Sequence, residues 1–84
     1  MRKPVVRTKL QIIFQILTLC QVGTSKTKIV IQANMNYKSV KPYLDMLTPK
    51  DLIKLEREFP TTYITTDKGN QLMHKLKNTI HVLE

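Results

Sequence analysis

Gly23-Thr24-Ser25-Lys26-Thr27-Lys28-Ile29-Val30-Ile31-Gln32-Ala33-Asn34-Met35-Asn36-Tyr37-Lys38-Ser39-Val40-Lys41-Pro42-Tyr43-Leu44-Asp45-Met46-Leu47 is the stretch on which the fold turns. Gly23 closes the helix before it, and Thr24 or Ser25 can accept a hydrogen bond from a free backbone N–H in the first turn of the next. That next helix is short, Lys26 to about Ala33, with Ile29 and Val30 or Ile31 turned inward. Asn34-Met35-Asn36 makes a tight turn, because asparagine tolerates the left-handed conformation and Met35 can plug a core. Asn36 then caps a helix running to about Thr48, with Val40, Tyr43, Leu44 and Leu47 on its buried face. Two short helices joined by a three-residue turn, the second carrying basic residues outside, form a helix-turn-helix pattern.

Upstream, Leu10, Ile13, Phe14 and Leu17 recur at helical spacing and predict a helix from about Val6 to Gln21. Ile12, Ile16 and Leu19 form a second, adjacent stripe. Either this helix is central or its second stripe meets a partner subunit; periodicity permits both. Downstream, Thr48-Pro49 stops the third helix, because proline disfavours helical geometry in the residue before it. Leu52, Ile53 and Leu55 lead into a strand, Glu56 to Pro60 make a turn, and Thr61 to Thr65 alternate as a returning strand. Thr66 caps a last helix lined by Leu72, Leu76, Ile80 and Leu83. Three helices, a β-hairpin wing and a C-terminal helix make one α+β, mainly α domain over residues 1–84, a winged helix-turn-helix.

Charge points to the class of partner. Every charged residue before Asp45 is positive (Arg2, Lys3, Arg7, Lys9, Lys26, Lys28, Lys38 and Lys41), and the remaining charges cancel, so the net +8 sits in the first half. A one-sided cation on a small domain is the footprint of a polyanion, against the alternative of a solvated basic surface. The chain of 84 residues, 42% apolar, can bury one modest core but no deep catalytic cleft, and is a candidate for stabilisation by dimerisation. Cys20 is the only cysteine, which excludes an internal disulfide and leaves a bridge across a dimer axis open.

Other classes fit poorly. The apolar run Leu10 to Cys20 follows basic residues as a signal peptide's would, but Gln11, Gln15 and Thr18 interrupt it and no clean cleavage site follows. It is also far shorter than the roughly 20 residues that span a bilayer. The expectation is a cytoplasmic protein that engages no membrane. His74 and His81 lie seven apart without further ligands, there is no glycine-rich phosphate loop, and no nucleophile, base and acid stand at recognisable spacing. No catalysis, metal, cofactor or small-molecule effector is expected.

Several segments resemble the archaeal winged helix-turn-helix regulators that include small crenarchaeal and archaeal-virus DNA-binding proteins. The similarity runs from about Ile12 to Leu76. It is carried by Gly23-Thr24-Ser25-Lys26-Thr27, Ala33-Asn34-Met35-Asn36-Tyr37, Tyr43-Leu44 with Leu47, Leu52-Ile53, and Tyr63-Ile64-Thr65-Thr66-Asp67-Lys68-Gly69. The resemblance implies sequence-specific binding of double-stranded DNA in transcriptional control, usually as a homodimer. Two departures stand out. Where the family usually has a glycine before the Leu-Ile of the first wing strand, this chain has Lys50-Asp51, so the entry turn must differ. Pro42 falls inside the recognition helix, where a proline costs about 3 kcal/mol and loses the bond to the Lys38 carbonyl, so a kink or a loosened start is expected.

The candidate DNA surface follows. Tyr37, Lys38, Ser39 and Lys41 occupy the outward face of the third helix, with Asn36 at its start, and are residue types that meet phosphates and base edges in a major groove. Lys26 and Lys28 begin the second helix, where backbone N–H groups already favour a phosphate oxygen. Arg2, Lys3, Arg7 and Lys9 suit an arm along the backbone or in the minor groove, or equally a disordered tail, with residues 1–7 as the arm proper. In the wing, Arg57, Thr61 and Thr62 are the candidate contacts, although Glu56 and Glu58 flank Arg57 and should weaken them. For a dimer, the candidates are Ile12, Ile16 and Leu19 of the first helix with Met73, Leu76, Ile80 and Leu83 of the helix over 68–84. Two rivals remain: the same fold as a protein-interaction module for an acidic partner, and an RNA-binding domain. The five aromatic residues are scattered and form no stacking platform, which disfavours RNA. The charge gathered on the recognition half is more than a scaffold requires.

Overall fold

The computed structural model describes residues 7–83, with side-chain surroundings to Thr79. Helix α1 spans Lys9–Leu19. It starts three residues later than periodicity suggests because Thr8 forms a capping box, its hydroxyl accepting from Gln11 N at 3.1 Å while Gln11 Oε1 accepts from Thr8 N at 2.8 Å. The helix tightens into a 3₁₀ turn at Cys20–Val22, and Gly23 ends it at a φ of 75°. Strand β1 is Thr24–Ser25 and leads into α2, Lys26–Gln32, where the Ser25 hydroxyl accepts from Lys28 N at 3.2 Å. Asn34 takes the left-handed conformation at φ 54° in the turn. Helix α3, Tyr37–Leu47, begins where the Asn36 side chain accepts from Ser39 N at 2.9 Å.

The entry to the wing does differ from the glycine pattern. Asp51 itself adopts φ 59°, a conformation that aspartate tolerates better than most side chains. Strands β2 (Ile53–Glu58) and β3 (Thr61–Thr65) then form the hairpin, and α4 runs Asp67–Leu83. The strand reaches Glu58, so the turn is only Phe59-Pro60 and not Glu56 to Pro60. All pairing is antiparallel, in the order β1-β3-β2. Thr66 holds the junction with α4, accepting from Gly69 N at 3.0 Å.

Every helix contributes to one core: Ile16, Leu17 and Cys20 with Ile29, then Val40, Leu44 and Leu47, Leu52 and Ile53, and Met73 with Leu76. Packing of α1 against α4 corrects three assignments to a dimer face. Ile16 is fully buried, and Met73 and Leu76 are 7% exposed, inside a single copy. Apolar side chains on two neighbouring helices bury each other before they need a partner chain. Ile12 and Leu19 are half-buried, while the side chains of Ile80 and Leu83 lie outside the described residues. Cys20 is likewise fully buried, which closes the route to a bridge with another chain.

Candidate nucleic-acid interface

Core contacts determine which face of α3 looks outward. Val40, Leu44 and Leu47, at spacings of four and three, pin one side, and Tyr37, Lys38, Ser39 and Lys41 are exposed on the rest. Pro42 is also exposed and sits within an uninterrupted helix whose start is capped. Its missing N–H frees the Lys38 carbonyl, one of the exposed candidates' own backbone groups.

The basic side chains are not equivalent. Lys41 Nζ lies 2.5 Å from Asp45 Oδ2, one helical turn on, with both side chains largely exposed. The hydrogen bond to Asp45, and then its charge, hold the Lys41 ammonium above its ordinary pKa, so it stays protonated and engaged. Asp45 was not among the sequence candidates, although the Lys-Asp spacing of four was a usable signal. Lys26 is tied to the recognition helix: its Nζ sits 4.6 Å from the centre of the Tyr37 ring and donates to Tyr37 Oη at 3.3 Å. That contact joins the first turns of α2 and α3. Lys28 and Lys38 are exposed.

Arg7 is half-buried, and its Nη1 donates to Gln15 Oε1 at 2.5 Å, which lays it along α1. Arg2 and Lys3 lie outside the described residues. Lys9 belongs with α3, since Lys9, Ser39, Pro42, Tyr43 and Met46 line a shallow groove of about 250 Å³.

The wing sorts its own charges. Ile53 pairs with Thr65, Lys54 with Ile64 and Leu55 with Tyr63; the register then slips so that Arg57 pairs with Thr62 and Glu58 with Thr61. Residues directly paired share a face. The bulge at Glu56 therefore puts Arg57 on the face of Lys54, with Ile64 and Thr62, and Glu58 on the opposite one. Glu56 folds against Gly23, where an added Cβ would meet its Oε2 at 2.5 Å. Glu58 thus lies across the sheet from Arg57, while the Glu56 carboxylate reaches toward Gly23. Thr61 and Thr62 spend their hydroxyl protons on the turn, donating to the carbonyls of Glu58 at 3.2 Å and Pro60 at 2.9 Å.

A helix-turn-helix from Lys26 to Leu47 followed by this two-stranded wing is the arrangement that the family comparison finds, with residues 6–84 matching the winged helix-turn-helix model. The chain belongs to the winged helix-turn-helix family. This is a family of binding domains, not enzymes. Among solved structures, the winged helix-turn-helix is similar to Sso10a-2, a DNA-binding protein from Sulfolobus solfataricus, with a TM-score of 0.83 and 27% identity over 90% of this chain and 81% of that one. A MarR family transcriptional regulator from Silicibacter pomeroyi shares the fold, with a TM-score of 0.70 and 14% identity over 84% of this chain and 54% of that one. No curated protein matches by sequence. Among the described residues no group of three or more side chains is placed to hold a metal ion, and no helix is long and apolar enough to cross a membrane.

Proposed function

We propose that this winged helix-turn-helix protein binds double-stranded DNA as a cytoplasmic, homodimeric transcriptional regulator that lays α3 in the major groove. The observation that carries the reading is the outer face of α3: Tyr37, Lys38, Ser39 and Lys41 are exposed on a helix whose opposite side is anchored by fully or nearly fully buried Val40, Leu44 and Leu47. A rigidly seated helix with polar and cationic side chains outside is what groove recognition uses. Lys26, held at Tyr37, and Lys28 serve phosphate contacts that position the domain, and Arg57 serves them from the wing. Likeness to Sso10a-2, described as DNA-binding, supports the same assignment.

Mobility-shift titrations against duplex DNA, a single strand and structured RNA at two salt concentrations test it. The duplex is expected to bind best, with affinity falling as salt rises. Replacing Lys38 and Lys41 by alanine should flatten the log-log salt dependence by nearly one unit for each phosphate that is no longer neutralised. Because Asp45 already engages Lys41, Lys38→Ala is expected to cost more than Lys41→Ala. Unchanged binding and slope in the folded double variant would displace α3 from this role, and preference for RNA or for an acidic protein would replace the reading.

A further inference from the structure

The tip of the wing carries an apolar side chain that the fold does not use. Phe59 is 88% exposed, more than any other large apolar side chain among the described residues. Two-residue hairpin turns are ordinarily served by Asn-Gly or Asp-Gly, chosen for backbone geometry alone. Here the turn is Phe59-Pro60, and hydrogen bonds from Thr61 and Thr62 to the carbonyls of Glu58 and Pro60 stiffen it. The ring is therefore presented on a braced tip.

What lies beside it identifies the partner. Lys54 and Arg57 share one face of the ribbon behind the tip, while Glu56 is folded against Gly23 and Glu58 points to the other face. An aromatic wedge with a cationic shoulder is complementary to a base step flanked by phosphates; an apolar protein pocket would gain nothing from the two cations. Architectural proteins insert such wedges between base steps from the minor groove and kink the duplex.

We propose that Phe59 is a wedge that enters a base step of duplex DNA from the minor groove while Arg57 and Lys54 neutralise the adjoining phosphates. This rests on the DNA-binding reading above and adds to it a residue and a mode of contact. The wing then deforms the DNA and does more than touch its backbone.

The chain has no tryptophan, so Phe59→Trp places a single indole at the tip. Stacking on a base step should quench its emission when duplex DNA is added. Phe59→Ala should melt as the wild type does, since the ring packs on nothing, yet bind duplex about tenfold more weakly, within the range of base–aromatic stacking. It should also lose the bend that energy transfer between end-labels on a short duplex reports for the wild type. A Phe59→Ala variant with wild-type affinity and bend overturns the wedge and leaves the DNA-binding reading standing. An indole whose emission changes with protein concentration alone, in the absence of DNA, assigns the tip to a second copy and overturns it as well. A wild type that retains no duplex removes both readings.

Discussion

Gly69 stands in the first turn of α4 with no room for one more carbon. A Cβ there would lie 2.0 Å from the Leu52 carbonyl oxygen and 2.7 Å from Thr65 Cγ2, neither of which is the free end of a long side chain. Gly69→Ala must push α4 off the hairpin, and overpacking of this kind costs roughly 1–3 kcal/mol. In a domain this small each kcal/mol is worth about 4–8 °C, so thermal melting should show a clear drop in Tm. At Lys41 the issue is availability. Asp45→Asn should free the ammonium for phosphate, raising duplex affinity and steepening the salt slope by up to about 0.9, which titration at several salt concentrations would read. Because its folded pKa is raised, the contribution of Lys41 to stability is full at neutral pH and is lost as pH climbs through and above the ordinary lysine range. Both groups are well exposed, so that contribution is small. Burial pushes the Cys20 thiol up to about 12, which leaves it protonated and unreactive at neutral pH. A thiol reagent should therefore modify Cys20 only as fast as the domain opens.

Elements whose determinants are local were legible in the chain. Ser25, Asn36 and Thr66 cap the helices that follow them because a short polar side chain needs only the next turn of backbone to act. Elements whose determinants are distant were not. Two-residue β1 exists only because Thr24 and Ser25 meet Tyr63 and Thr62 across the sheet, and the bulge at Glu56 depends on the same strand. The bulge is what brings Arg57 to the face of Lys54, so the pairing of those two cations could not be read from a strict alternation along the strand. Pro42 was legible as a liability, yet α3 runs through it, because Asn36 secures the start and core side chains hold one face on either side. Pro42→Ala restores a donor for the Lys38 carbonyl and should stabilise the domain, by less than the roughly 3 kcal/mol separating proline from alanine in an open helix. Chemical denaturation would measure it; a destabilised variant would mean that the proline ring packs usefully against its neighbours along the Lys9–Met46 groove.

At the scale of the whole molecule, the monomer claims much of the surface that periodicity offered to a partner. Ile16, Met73 and Leu76 close the core between α1 and α4, so a dimer has to be built from what continues past them. Ile80 and Leu83 follow Leu76 at spacings of four and three along the same helix, which at 17 residues is about 25 Å long at 1.5 Å per residue. Crossing of two such ends about a two-fold axis, with half-buried Ile12 and Leu19 at the margin, is the homodimer proposed for this chain. It would place two recognition helices about one DNA turn, roughly 34 Å, apart on a pseudo-palindromic site. Ile80→Glu should then split the dimer without unfolding the protomer, since Met73 and Leu76 still hold α4 on α1. Sedimentation equilibrium at tens of micromolar, roughly the range of weak dimers, is expected to show a dimeric wild type and a monomeric variant of unchanged helix content. A wild type that sediments as a monomer there removes the two-fold arrangement, and with it the reason to expect paired half-sites.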